Sequence, residues 1–238
     1  MTGPSPNVLV RCQGAARTYG AGAAAVVAVH GATCEVRTGD RIAITGPSGS
    51  GKSTLLHLLA ALEEPTTGRV TWPGLAGGPA PDQVGVVFQG PSLIPALNVV
   101  ENTALPLVLA GHREESARRR ALDALALVVA TGLADKLPEE LSGGQAQRVA
   151  VARVLAAAPR LILADEPTGQ LDRATGRHVV DVLLATADAL GAALVVTTHD
   201  PTVARRLTQR WSMRDGRLRT GTHPPRDVPA AAPEGTRP

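Results

Sequence analysis

Aromatic residues make up only 2% of this 238-residue chain. That leaves almost nothing on which unstacked bases could lie, and it sets DNA and RNA aside as the main ligand. Cysteine is equally scarce. Cys12 and Cys34 both fall in the first stretch among alternating apolar residues, where they read as buried reduced thiols and not as a disulfide framework or a metal site. No apolar stretch approaches the roughly 18 residues that a membrane-spanning helix needs, and Met1 to Asn7 carry no basic segment followed by a hydrophobic one, so a cytosolic chain is expected. Lysine is nearly absent: among 24 Lys plus Arg, only Lys52 and Lys136 are lysine. In a chain that uses arginine almost everywhere, a retained lysine points to a specific need.

What is present suits one α/β domain. A chain of 238 residues with 44% hydrophobic residues can bury a single core, with a small subdomain besides. The net charge of +3 is modest, and the one basic cluster, Arg118 to Arg120, reads as a solvated helix face. Short β-rich runs alternate with helical periodicity, the pattern of a parallel sheet with crossover helices. Arg41 to Thr45 reads as a strand, followed by a Gly-rich turn and a helix over Lys52 to Leu62. Val84 to Phe88 is a second strand. From Asn98 to Leu133 the pattern is helical, bent at Pro106, divided at Gly111 and ended at Gly132. A helix over Gly144 to Ala157, a strand Leu161 to Ala164, a helix Ala174 to Leu190 and a strand Ala193 to Thr198 follow. Arg210 to Arg214 and Arg217 to Arg219 flank Asp215-Gly216, a hairpin signal. Residues 1–7 are expected to be a flexible N-terminus. The Pro-, Ala- and Gly-rich tail, 220–238, is expected to be disordered.

The chemistry begins at Gly46-Pro47-Ser48-Gly49-Ser50-Gly51-Lys52-Ser53-Thr54. This run matches the phosphate-binding pattern G-x-x-x-x-G-K-[ST] and lies between a strand and a helix. Its glycines let backbone N–H groups turn toward phosphate oxygens, Lys52 can reach the β- and γ-phosphates, and the Ser53 hydroxyl can ligate Mg²⁺. A plain Gly/Ser-rich surface turn would not need the lysine. Farther on, the apolar strand Leu161 to Ala164 runs into Asp165 and Glu166, two acids placed at the nucleotide-facing end of a parallel strand. Asp165 suits the carboxylate that holds Mg²⁺, and Glu166 the general base for the attacking water. Alone, such an acidic pair is often only a helix start.

Leu141-Ser142-Gly143-Gly144-Gln145, just upstream of that strand, resembles the signature motif of the ATP-binding-cassette (ABC) ATPases. The resemblance covers about residues 8 to 219. It implies a P-loop NTPase (RecA-like) core with a mainly parallel sheet, a small N-terminal antiparallel β-subdomain and an inserted helical subdomain at about 90–158. It also implies ATP and Mg²⁺ as cofactors. Ser142, Gly143, Gly144 and Gln145 would meet the γ-phosphate of a nucleotide held by a second copy, in a head-to-tail dimer. Gln89 resembles the glutamine that touches Mg²⁺ and the attacking water. Thr168-Gly169-Gln170-Leu171-Asp172 resembles the loop that crosses the dimer interface, His199 the switch histidine, and Tyr19 the aromatic that stacks on adenine. His30, His57, His112, His178 and His223 have no such placement and read as ordinary core or surface residues.

Phe88-Gln89, Leu93-Ile94-Pro95, Val100-Glu101-Asn102, Leu105-Pro106-Leu107 and Asp165 to Gly169 are similar to the branch that serves macrolide exporters, lipoprotein-releasing complexes and the cell-division ATPase. Two features depart from it: Gln170 stands where asparagine is usual, and the Thr71 to Asp82 connection is short. The resemblance implies a subunit that energises a transporter through a separate transmembrane permease, on the inner face of the membrane. A mechanical regulator of a membrane protein is a second class. A soluble ABC ATPase of DNA repair or translation is a third, disfavoured because the chain has neither paired cassettes nor a long coiled-coil insertion.

Overall fold

Short, mostly apolar runs bounded by turns build most of the central sheet, and an arginine-bearing hairpin extends it at one edge. The computed structural model describes residues 7–76 and 78–221. A six-stranded sheet has the order β5-β6-β7-β3-β8-β9, formed by β3 (Arg41–Thr45), β5 (Val84–Val87), β6 (Leu161–Asp165), β7 (Ala193–Thr198), β8 (Gln209–Arg214) and β9 (Arg217–Thr220). All its pairings are parallel except β8 with β9, which form the hairpin expected at Asp215-Gly216. Both residues of that turn have positive φ, as a tight hairpin demands.

β3, β5, β6 and β7 are largely apolar because both their faces are covered, whereas β8 alternates, with Trp211 and Met213 buried between exposed residues. Side chains alternate between two cores. Ile42, Ile44, Leu161, Leu163, Ala193 and Val195 point to one side, where Leu55, Leu56, Leu58 and Leu59 of α1 (Lys52–Leu59) meet them. Ala43, Ile162, Ala164, Leu194 and Val196 point to the other, toward α4 (Gly143–Ala157) and α5 (Arg173–Leu190). Each fully buried Leu or Ile contributes roughly 1.5–3 kcal/mol through its burial. The loops at the strand ends are therefore anchored on fully buried strands.

A second, antiparallel sheet of order β2-β1-β4 covers the α1 side, from β1 (Val8–Tyr19), β2 (Val26–Arg37) and β4 (Thr67–Thr71). Periodicity alone misses these strands. They are half exposed, interrupted by Gly14 and Gly31, and out of register at several points. Cys12 and Cys34 are free and buried, opposite each other across β1 and β2. Trp72, in the short connection after β4, donates its indole N–H to the Leu59 carbonyl at the end of α1.

Between β5 and β6 the chain forms α2 (Val99–Leu109), α3 (Glu114–Leu127) and α4, which pack on one another. Asn98 opens α2 through a capping box with Glu101. Pro106 lies within α2, and Gly111 follows its end. Gly132 does not end α3, contrary to the sequence reading: Val129 takes the left-handed conformation, φ 54°, and Arg148 of α4 donates to the Val128 and Val129 carbonyls. A guanidinium from a neighbouring helix satisfies the carbonyls that a glycine turn would otherwise close off. Among the described residues, no helix is long and apolar enough to cross a membrane. Most of the expected flexible N-terminus (1–6) and of the expected disordered tail (222–238) lies outside the described residues.

Candidate active site

The phosphate loop leaves β3 at the centre of the sheet and turns directly into α1. Its backbone is approached closely by β2 and by β8, the latter distant in sequence. A Cβ on Gly46 would lie 2.1 Å from the Met213 carbonyl oxygen, and one on Gly51 would lie 2.1 Å from that of Ala28. Gly51 also has φ 94° as it opens α1, so no side chain fits there. Gly216 at the β8–β9 turn donates its N–H to the Ser50 carbonyl, and its own carbonyl accepts from the His30 N–H. Ser50 is buried, and its hydroxyl oxygen has no hydrogen-bond partner.

Lys52 is only 6% exposed. Its ammonium donates to the Gly46 and Pro47 carbonyls at 3.0 and 3.1 Å and stands 3.7 Å from a carboxylate oxygen of Glu166. The other carboxylate oxygen of Glu166 lies 3.1 Å from Nδ1 of His199. These residues border a cavity of about 500 Å³. Ser48, Gly49, Gly51, Lys52, Ser53 and Thr54 line it from the loop, and Gln89, Glu166 and His199 from the ends of β5, β6 and β7. Gly46 borders an adjoining cavity with Pro47 and His199.

Asp165, the last residue of β6, is buried at 4% exposure. Thr197, its register partner on β7, donates its hydroxyl to that carboxylate at 2.5 Å and accepts the Glu166 N–H at 3.0 Å. Glu166 has φ 44°, the left-handed region, which is costly for a residue with a side chain. Sequence reasoning missed Thr197. The one available signal was a hydroxyl at the end of an otherwise apolar buried strand. It missed Gln147 too, a buried side chain of α4 whose amide donates to the Phe88 carbonyl just ahead of Gln89.

Not every anticipated residue joins this cavity. Tyr19 does not line it. Its hydroxyl donates to Glu63 at 3.3 Å, and Arg17, itself paired to Glu63 at 2.6 Å, lies over one face of its ring at 4.8 Å. Ser142, Gly143, Gly144 and Gln145 open α4 elsewhere on the surface. Ser142 accepts the Gln145 N–H, while the Gln145 side chain accepts the Ser142 N–H, a complete capping box. Gly143 and Gly144 face Gln170 and Leu171 of the same chain. Asp172 caps α5 through the Ala174 and Thr175 N–H groups, and hydrogen bonds from Thr175 hold its carboxyl below the usual range. Asp172 and His199 border another cavity, of about 670 Å³, between α5 and α6 (Pro201–Ala204).

The profile of the ABC transporter family, described by that name, matches residues 29–169. The chain belongs to the ABC transporter ATP-binding family. It is 39% identical over 224 residues to the lipoprotein-releasing system ATP-binding protein LolD of Legionella pneumophila (strain Paris), covering 89% of this chain and 97% of that one. It is 44% identical over 198 residues to an uncharacterized ABC transporter ATP-binding protein of Mycobacterium tuberculosis, covering 78% and 79%. Among solved structures, the dimeric post-hydrolysis state of the ATP-binding cassette MJ0796 bound to ADP and Pi is similar, with TM-score 0.84 and 35% identity. That match covers 90% of this chain and 98% of the other. This ABC cassette therefore binds and hydrolyses ATP as a subunit of a membrane transporter, within the branch that its lipoprotein-releasing relatives represent.

Proposed function

We propose that two copies of this cassette close head-to-tail over two ATP molecules and drive a separate membrane permease from the inner face of the membrane. The observation that carries the reading is the placement of Glu166 at the phosphate-loop cavity, between Lys52 and His199. A carboxylate there can take a proton from water aimed at a γ-phosphate, and His199 Nδ1 can hold it in that direction. Lys52 leaves its two loop carbonyls to meet the β- and γ-phosphates, while the loop amides and the start of α1 supply the remaining positive potential. Ser142 to Gln145 of the second copy would complete the site from the far side. MJ0796 was seen as a dimer, and this chain is alike over nearly its whole length.

The residues present fit Mg²⁺. Among the described residues Asp165 accepts one hydrogen bond, whereas a carboxylate offers about four acceptor sites. The Ser53 hydroxyl and the Gln89 amide oxygen, both at the cavity, complete an all-oxygen set suited to a hard cation. When bound, Mg²⁺ neutralises charge on the β- and γ-phosphates. Gln89 also stands where a displacement of α4, passed through Gln147, would reach the phosphates.

The test is Glu166→Gln, which keeps the shape of the side chain but cannot accept the proton. Turnover is expected to fall by about 10²–10⁴-fold with ATP binding retained, and size-exclusion chromatography with ATP should show a stable dimer. A monomer at high protein and ATP concentration would contradict the paired site.

A further inference from the structure

We propose that Thr197 is a positioning residue for ATP hydrolysis: its hydroxyl orients the Asp165 carboxylate and pins the backbone bend that aims Glu166 into the cavity. The inference rests on the roles given above to Asp165 and Glu166. Thr197 is fully buried on β7, after the apolar run Ala193 to Val196. A buried hydroxyl costs free energy unless its hydrogen bonds are made, and valine would suit such a strand without that cost. Both capacities of this hydroxyl are used, and both are spent on the two acidic residues. Its proton goes to Asp165, where, among the described residues, it is the only donor to that carboxylate, and its oxygen accepts the Glu166 N–H.

The arrangement constrains direction as well as contact. Asp165 and Thr197 are register partners in a parallel ladder, so the bond joins two fully buried inner strands of the sheet. With one carboxylate oxygen held by the Thr197 hydroxyl, the other accepts no hydrogen bond among the described residues. At Glu166 the N–H is shared between the Thr197 hydroxyl at 3.0 Å and the Thr197 carbonyl at 3.2 Å, which together hold the left-handed φ of 44°. One threonine thus fixes the bearing of the metal-facing acid and of the proton acceptor, without touching nucleotide.

The test compares Thr197→Val and Thr197→Ser in the full chain. Beside steady-state turnover, it measures binding of a fluorescent ATP analogue as Mg²⁺ is titrated. For Thr197→Val, kcat is expected to fall about 10–100-fold and half-saturating Mg²⁺ to rise about tenfold, with KM for ATP changed less than about twofold, as for loss of a hydrogen bond that orients a metal ligand. Thr197→Ser, which keeps the hydroxyl, should recover most of both. Wild-type kcat and Mg²⁺ dependence in Thr197→Val would overturn the proposal, and so would equal impairment of the Val and Ser variants, which would mean packing alone. If Thr197→Val does not fold, Thr197→Ser is compared with Thr197→Ala. Both lose the methyl group and only one keeps the hydroxyl, so identical Mg²⁺ dependence would again overturn it. Asp165→Asn and Glu166→Gln serve as controls. Wild-type turnover in those two would sink the reading of the site itself, whereas their failure beside an unaffected Thr197→Val sinks only the role of Thr197.

Discussion

Cys12 and Cys34 face each other across β1 and β2, and the Cys34 thiol is pushed well up, first by its hydrogen bond with Cys12 and then by burial. The thiolate is the reactive species, so a raised value means slow chemistry across the neutral and mildly alkaline range. Ellman's reagent at pH 8 is expected to label neither cysteine in the native protein and both after unfolding in guanidinium. Rapid native labelling would contradict the packing of this sheet. At this scale the sequence was informative where chemistry is local. Lys52 stood out in an arginine-rich chain, and Asp165 and Glu166 stood out by ending an apolar strand. Thr197 showed only a hydroxyl at the end of an apolar strand, because its role comes from a register with a strand 32 positions away. Likewise Tyr19 gives no sign in sequence that Glu63 will hold its hydroxyl.

Helix starts were more legible than helix ends. Asn98 with Glu101, and Ser142 with Gln145, are side-chain caps spelled out within four residues, whereas the end of α3 depends on Arg148 from another helix. The Ser142 cap also bears on how the signature loop can be tested. Any substitution that removes the cap destabilises α4 by about 1 kcal/mol and so confounds a functional reading. Ser142→Asp avoids this, since aspartate caps as well as serine and also complements the positive helix end, yet it sets a negative charge against an approaching phosphate. Thermal stability and ATP binding by the monomer are expected to stay near wild type. Dimerisation with ATP and hydrolysis should fall steeply, at least tenfold given one like-charge contact in a desolvated site. Ser142→Ala should show the reverse emphasis: a lower Tm with dimerisation retained. If Ser142→Asp dimerised normally with ATP, Ser142 would be a cap and nothing more.

Across the whole molecule, the central sheet separates two cores, and its apolar strands were found from composition and length, while the three-stranded sheet was expected only through the family resemblance, because one exposed face and repeated register shifts blur any period. The closed pair makes a prediction that no single chain can. Mixed Ser142→Asp and Lys52→Ala subunits would form heterodimers with one doubly damaged and one intact site. Turnover of the exchanged mixture should exceed that of either variant alone, and a mixture no better than its parts would argue against sites shared between copies. The phosphate loop has a further property at this scale. Its strand β3 lies between β7 and β8, and its Ser50 carbonyl is held by Gly216, so a loop encoded in the first quarter of the chain is braced by its last segments. During synthesis from the N-terminus, the loop therefore leaves the ribosome long before the strands that shape it. Nucleotide affinity should appear late and abruptly, because the braces are long-range contacts that form together. Ribosome-bound chains ending before Ala193 are expected to retain no fluorescent ATP analogue, and chains extended past Gly221 with enough linker to clear the exit tunnel are expected to retain it. A nascent cassette would thus stay insensitive to cellular ATP until it is nearly complete.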